Sequence, residues 1–155
     1  MLRSDFLSFK VKGIHHLGLV PKDVKKAEAF LSKCLNLDYV GSSLVKDQEV
    51  NTSIYESQPK GGGSEGQGSF NRLEVLESLS ADGPVGRYLS KKGGGIHHIA
   101  FEVDDLEAAI ASLISMEIEM VDDKPRVGAH NTQVAFIHPR STGGLLIELV
   151  ENLKS

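Results

Sequence analysis

The chain has no tryptophan and only one cysteine among its 155 residues. Cys34 therefore has no partner for an intramolecular disulfide, and an oxidising compartment gains no support. It lies in Phe30-Leu31-Ser32-Lys33-Cys34-Leu35, where a packed helical thiol is expected rather than a nucleophile. No apolar run approaches the roughly 18 residues of a membrane span, and Met1 to Lys12 carries none of signal-peptide length. A membrane is thus not an expected partner, and the cytoplasm is the expected compartment. Long basic runs are missing as well, and the formal net charge is −4, which argues against nucleic acid. The glycine-rich stretch from Gln58 to Ser69 lacks the Lys-Ser/Thr ending of a phosphate-binding P-loop. It reads as a flexible loop.

What is present is an ordinary globular composition, 40% hydrophobic and 25% charged, in a chain long enough for a single cored domain. The informative feature is internal repetition. Gly13-Ile14-His15-His16-Leu17-Gly18-Leu19 returns 82 positions later as Gly95-Ile96-His97-His98-Ile99-Ala100-Phe101. Asp23, Ala27 and Leu31 return at the same shift as Asp105, Ala109 and Leu113. Further on, Leu73-Glu74-Val75-Leu76-Glu77 matches Ile147-Glu148-Leu149-Val150-Glu151 at a shift of 74. The first copy is therefore 8 residues longer between its histidine and its glutamate. The glycine-rich loop at about 58–70 is the natural place for that insertion.

Alternation predicts a strand over Val11–Val20, then a helix capped at Asp23 and ending near Asn36. Strands follow at Leu37–Val45, Lys46–Glu56 and Asn71–Glu77, with a short helical segment at Val85–Leu89. The second copy predicts strand Ile96–Val103, helix Asp105–Met116, and strands Ile118–Val121, Gln133–His138 and Leu145–Glu151. The fold class is α+β, one domain of two βαβββ units at about 11–78 and 94–152.

Strand parity then sorts the histidines. His97, Ile99, Phe101 and Val103 share the greasier face, which should pack on the helix, while His98 and Ala100 share the other. In the first copy His16 and Gly18 stand opposite Leu17 and Leu19. A small residue beside each of His16 and His98 leaves room for something to bind. Glu74 and Glu148 likewise point away from their apolar strand neighbours. Two histidines and two carboxylates, one pair per copy, suit a divalent ion of borderline hardness: cobalt, zinc, manganese or nickel. His15 and His97 are expected to be satisfied by hydrogen bonds at the helix–sheet seam. His130 and His138 flank turns from which they could orient a ligand.

The segments at 95–105 (GIHHIAFEVDD), 125–130 (PRVGAH) and 136–151 (FIHPRSTGGLLIELVE) resemble the methylmalonyl-CoA epimerases. These belong to the vicinal oxygen chelate superfamily together with glyoxalase I and the extradiol dioxygenases. The resemblance implies two βαβββ units forming an open, cupped sheet around a metal, in a homodimer that takes an acyl-CoA substrate. Its metal positions fall on His16, Glu74, His98 and Glu148, with Gln or Glu usual at the second. It implies inversion at C2 of methylmalonyl-CoA through an enolate, with Glu148 as one acid–base group. The family's other base sits in a Pro-Glu-x-Gly-Val segment. Here that segment reads Lys46-Asp47-Gln48-Glu49-Val50, which makes Asp47 the positional match and Glu49, two residues on along the same strand face, the substitute. His130, Arg140 and Ser141 are the candidate substrate contacts. Competing readings are a glyoxalase I-like lactoylglutathione lyase, an extradiol dioxygenase, which would leave Glu74 one ligand too many, and a ligand-sequestering protein without catalysis.

Overall fold

In the computed structural model, residues 7–57 and 72–154 are described. The glycine-rich stretch at 58–70, with its expected insertion, lies outside them. The chain forms two compact units, one of residues 16–97 and one of residues 1–15 with 98–155.

The strand β1 (Val11–Val20) crosses from one unit to the other. In the unit 16–97 it is followed by α1 (Val24–Ala29), β2 (Asp38–Val45), β3 (Val50–Glu56), β4 (Arg72–Ser78) and α2 (Pro84–Lys92). The strands lie in the order β2-β3-β4-β1, antiparallel except for the parallel β4–β1 pair. Asp23 caps α1, its Oδ1 accepting from the Lys26 backbone N–H at 2.9 Å. The helix then widens into one π turn, Phe30–Cys34, and the chain leaves it through Asn36 at φ 54°. Leu31, Tyr55 and Val75 form the buried core here, with Val24, Leu37 and Leu73 against them. Cys34, expected to be packed, is exposed, because the π turn rotates the last residues of the segment away from that core.

Tyr55 ties β3 to α1 through a hydrogen bond to the Glu28 carboxylate. Burial pushes its hydroxyl from the ordinary 10.0 up to about 12, and the neighbouring Glu28 charge pushes the same way. The shift is upward, so the stability carried by the neutral phenol is complete below pH 10 and is lost as pH climbs through about 12. In a spectrophotometric titration of the folded protein, one of the three tyrosines is expected to ionise late. Glu28→Gln should bring it down. Three tyrosines titrating together near 10 in the native protein would contradict this contact.

In the other unit, β5 (Gly95–Val103) leads to α3 (Leu106–Ser115), β6 (Arg126–Val127), β7 (Thr132–Ile137) and β8 (Ile147–Asn152). The order is β5-β8-β7-β6, with β5–β8 parallel and the rest antiparallel. Each repeat is therefore βαβββ, as its sequence predicts. Asp105 caps α3 as Asp23 caps α1, accepting from the Ala108 N–H at 2.9 Å. The main core joins Val103, Leu106, Ala109, Ile110, Ala135, Ile137 and Leu149, and Phe9 from the N-terminal stretch is buried among them. Lys10 and Asp104 hold that stretch in place, the Lys10 N–H donating to Asp104 Oδ1 at 2.7 Å.

Two expected strands are corrected. Ile118–Val121 forms no strand, only a bridge from Met120 to Ile137. The Asp122 side chain takes the Phe136 N–H at 2.9 Å, so a carboxylate replaces the next rung of the ladder. Pairing with β7 resumes only at Arg126–Val127. The third strand begins at Val50 rather than Lys46, because Lys46–Gln48 closes a 3-10 turn and Glu49 is left-handed at φ 51°. Asp47 and Glu49 therefore do not share a strand face.

Candidate functional site

Parity along β1 buries His16, Gly18 and Val20 while Leu17 and Leu19 are only partly covered. The parallel register sets Gly18 directly beside Glu74 of β4. With no side chain at Gly18, the Glu74 carboxylate crosses to the histidine, Oε2 lying 3.2 Å from His16 Nε2. The other unit repeats the construction with different residues. His98 and Ala100 are buried on β5, Ala100 stands beside Glu148 of β8, and Glu148 Oε2 lies 2.9 Å from His98 Nε2. The face of Ala100 continues into Val134 and Val150, whereas Phe101 and Val103 pack toward α3. In each His-His pair the second histidine, His16 or His98, is the buried one that meets a glutamate.

All four side chains are nearly closed to solvent, His16 and Glu74 at 5% and 6% exposure and His98 and Glu148 at 4% and 5%. Taking a carboxylate out of water costs several kcal/mol unless a counter-charge or a metal meets it. The donor set is one imidazole nitrogen and one carboxylate oxygen per pair. With bonds of about 2.1 Å, neighbouring ligand atoms around an octahedral ion lie roughly 3 Å apart, and both separations fit such an edge. Each pair therefore suits half of a nitrogen–oxygen metal site.

Residues 15–136 match the family model described as the Glyoxalase/Bleomycin resistance protein/Dioxygenase superfamily. The chain belongs to that superfamily. The uncharacterized YqjC of Bacillus subtilis (strain 168) is 36% identical over 138 residues, which is 89% of this chain and 91% of YqjC. The mitochondrial methylmalonyl-CoA epimerase of Mus musculus is 31% identical over 142 residues, covering 91% of this chain and 74% of the mouse protein. Among solved structures, a Streptomyces coelicolor methylmalonyl-CoA epimerase in complex with 2-nitronate-propionyl-CoA superposes with a TM-score of 0.82. It is 26% identical, over 94% of this chain and 100% of that one. The glyoxalase-like fold and the likeness to the epimerases both stand.

The remaining glyoxalase-superfamily candidates divide by local structure. His15 Nε2 meets Asn152 Oδ1 at 3.2 Å. His97 packs edge-on against Tyr88 of α2, centroids 4.7 Å apart, and Tyr88 donates to the Ile96 carbonyl at 2.8 Å. His138 caps the turn Pro139–Ser141 by accepting the Arg140 N–H at Nδ1, 3.1 Å away. Arg140 and Ser141 both engage Glu119, the first through an ion pair at 3.6 Å and the second by accepting the Glu119 N–H at 2.9 Å. His130 is exposed on a left-handed residue, φ 55°. Asp47 and Glu49 are exposed as well, and the Glu49 carboxylate lies by Gly83 at the start of α2.

Sequence reasoning missed Phe136 as a neighbour of the site. Phe136 stands opposite Glu148 across β7–β8 and edge-on to His98, centroids 5.6 Å apart. The signal was partial: Phe136 and Val134 alternate correctly, but which residue faces Glu148 depends on register.

Proposed function

We propose that this chain is a methylmalonyl-CoA epimerase, in which His16, Glu74, His98 and Glu148 together hold one divalent ion, cobalt, zinc, manganese or nickel. The observation that carries the reading is duplication. The same buried His–Glu pair is built twice, by the same device, in a chain similar to proteins named for that activity. The proposal includes an acyl-CoA substrate, in keeping with the acyl-CoA bound to the Streptomyces relative, and a homodimer of single-domain chains.

The reaction is an inversion at a carbon alpha to a thioester. Bound here, a divalent ion would supply Lewis acidity toward the thioester oxygen, worth several kcal/mol to an anion developing there. The rest is assigned to the chain. Inversion needs an acid–base group on each side of the planar carbon. A Glu148 carboxylate oxygen takes or returns the C2 proton on one side. Asp47, the positional match to the family's second base, is assigned the other side. Gly18 and Ala100 keep the strand position beside each glutamate free of a bulky side chain.

The test is deuterium uptake at C2 of methylmalonyl-CoA in heavy water, followed by NMR with and without a chelator. Metal-dependent uptake is expected. A metal-loaded protein that exchanges nothing at C2 would sink the epimerase and favour a glyoxalase I-like substrate, assayed directly with the hemithioacetal of glutathione. The second base has its own signature. Asp47→Asn should lose inversion by about 100-fold while one epimer still exchanges its C2 proton through Glu148. Glu49→Gln should stay close to wild type, and the reverse pattern would transfer the role to Glu49.

A further inference from the structure

The unit built around α3 carries a cation on the sheet face of its His–Glu pair that the scheme above does not use. Arg126 is opposite Val134 in the β6–β7 register, and Val134 shares a buried cluster with Ala100 and Val150. Cross-strand partners point to the same face of a sheet. Arg126 therefore rises from the face that carries His98, Glu148 and Phe136. Its guanidinium carbon lies 5.8 Å from the centroid of the Phe136 ring, which also meets His98 edge-on at 5.6 Å. Laid end to end, the two ring distances keep the guanidinium within about 11.4 Å of the His98 imidazole.

The guanidinium is also fixed in place. Arg126 Nε approaches Asp122 Oδ1 at 2.9 Å, as an ion pair rather than an aligned hydrogen bond. The other oxygen of Asp122 is committed to the Phe136 N–H at 2.9 Å. Arginine and phenylalanine are thus locked by one carboxylate, and the ring meets both the guanidinium and the imidazole. The Arg126 side chain is half-buried, so its donors act where water is partly displaced. The arginine–aspartate pair is formally neutral. What it offers is a directed, planar donor fork rather than a long-range field.

We propose that Arg126 receives the free carboxylate of a malonyl-type thioester, which makes it the residue that selects dicarboxylic over simple acyl groups. This inference rests on the acyl-CoA reading of the site, and its test is separate from turnover. Malonyl-CoA and propionyl-CoA carry the same nucleotide and phosphates and differ in the carboxylate, so the ratio of their dissociation constants isolates it.

Calorimetry with both thioesters, on metal-loaded and on chelator-treated protein, is expected to show wild type preferring malonyl-CoA. A charge-assisted hydrogen bond corresponds to a preference of about 10- to 100-fold. Arg126→Met should abolish the preference by weakening malonyl-CoA alone. Arg126→Lys, which keeps the Asp122 charge paired and guards against a folding defect, should retain only part of it. A preference that survives in both variants overturns the proposal. Equal weakening of both thioesters also overturns it and moves Arg126 to the CoA phosphates. Were the wild type to exchange no deuterium at C2, the epimerase would fall, and the calorimetric ratio would still decide whether Arg126 reads a carboxylate.

Discussion

Glu148→Gln is expected to lower C2 deuterium exchange by about 1,000-fold, the scale of a lost acid–base group, whereas Glu74→Gln should cost less than tenfold. The structure gives no hint of that difference. Each carboxylate is buried, each sits beside a small residue on the neighbouring strand, and each lies within 3.2 Å of a histidine Nε2. The asymmetry is chemical. Gln retains a carbonyl oxygen for a metal, so ligation survives at both positions. An amide cannot take a proton from carbon, so only the position that does so is crippled. Binding of zinc or cobalt, measured by competition with a chelating dye, should weaken comparably in the two variants. Equal loss of exchange would mean that neither carboxylate has a special place in proton transfer and that both serve only to bind.

The second large effect concerns stability. Leu106→Ala should lower the free energy of unfolding by about 3 kcal/mol, within the range for truncating a fully buried leucine. Leu106 is completely enclosed, packed with Phe9, Val103 and Ile110, at the first turn of α3. Its backbone N–H donates to Glu151 Oε2 at 2.8 Å, which fixes the turn and limits how far the cavity can collapse. Urea unfolding followed by circular dichroism checks the number. A loss below about 1 kcal/mol would show that the surrounding core relaxes into the space. Loss of exchange with an unchanged unfolding midpoint in Glu148→Gln, set beside the reverse in Leu106→Ala, separates chemistry from scaffold.

Much of this architecture was legible because the chain states it twice. A single His-x-small triplet on a strand is uninformative, but the recurrence of His16-Leu17-Gly18 as His98-Ile99-Ala100 fixed which face each strand buries. The matched caps, Asp23 and Asp105, fixed where both helices begin. What the sequence did not reveal depends on contacts between distant segments. The apolar pattern of Ile118 to Val121 is a fair strand pattern, yet the Asp122 carboxylate takes the backbone donor that a strand would have used. Lys46 to Glu49 continues the alternation of β3, yet the turn to β2 takes those residues and leaves Glu49 left-handed. Phe136 and Arg126 carry no signature of their own. The place of Phe136 beside His98, and of Arg126 beside Phe136, follows from a register that only the assembled strands define.

Gly18 and Ala100 have no reactive atom, and each stands beside the carboxylate that reaches across to a histidine. Any branched side chain at either place would occupy the path of that carboxylate and turn it aside, leaving the glutamate present in the sequence but missing from its post. A variant at these two quiet positions would then mimic deletion of a ligand. A screen that inspects only histidines and acids would pass it as harmless.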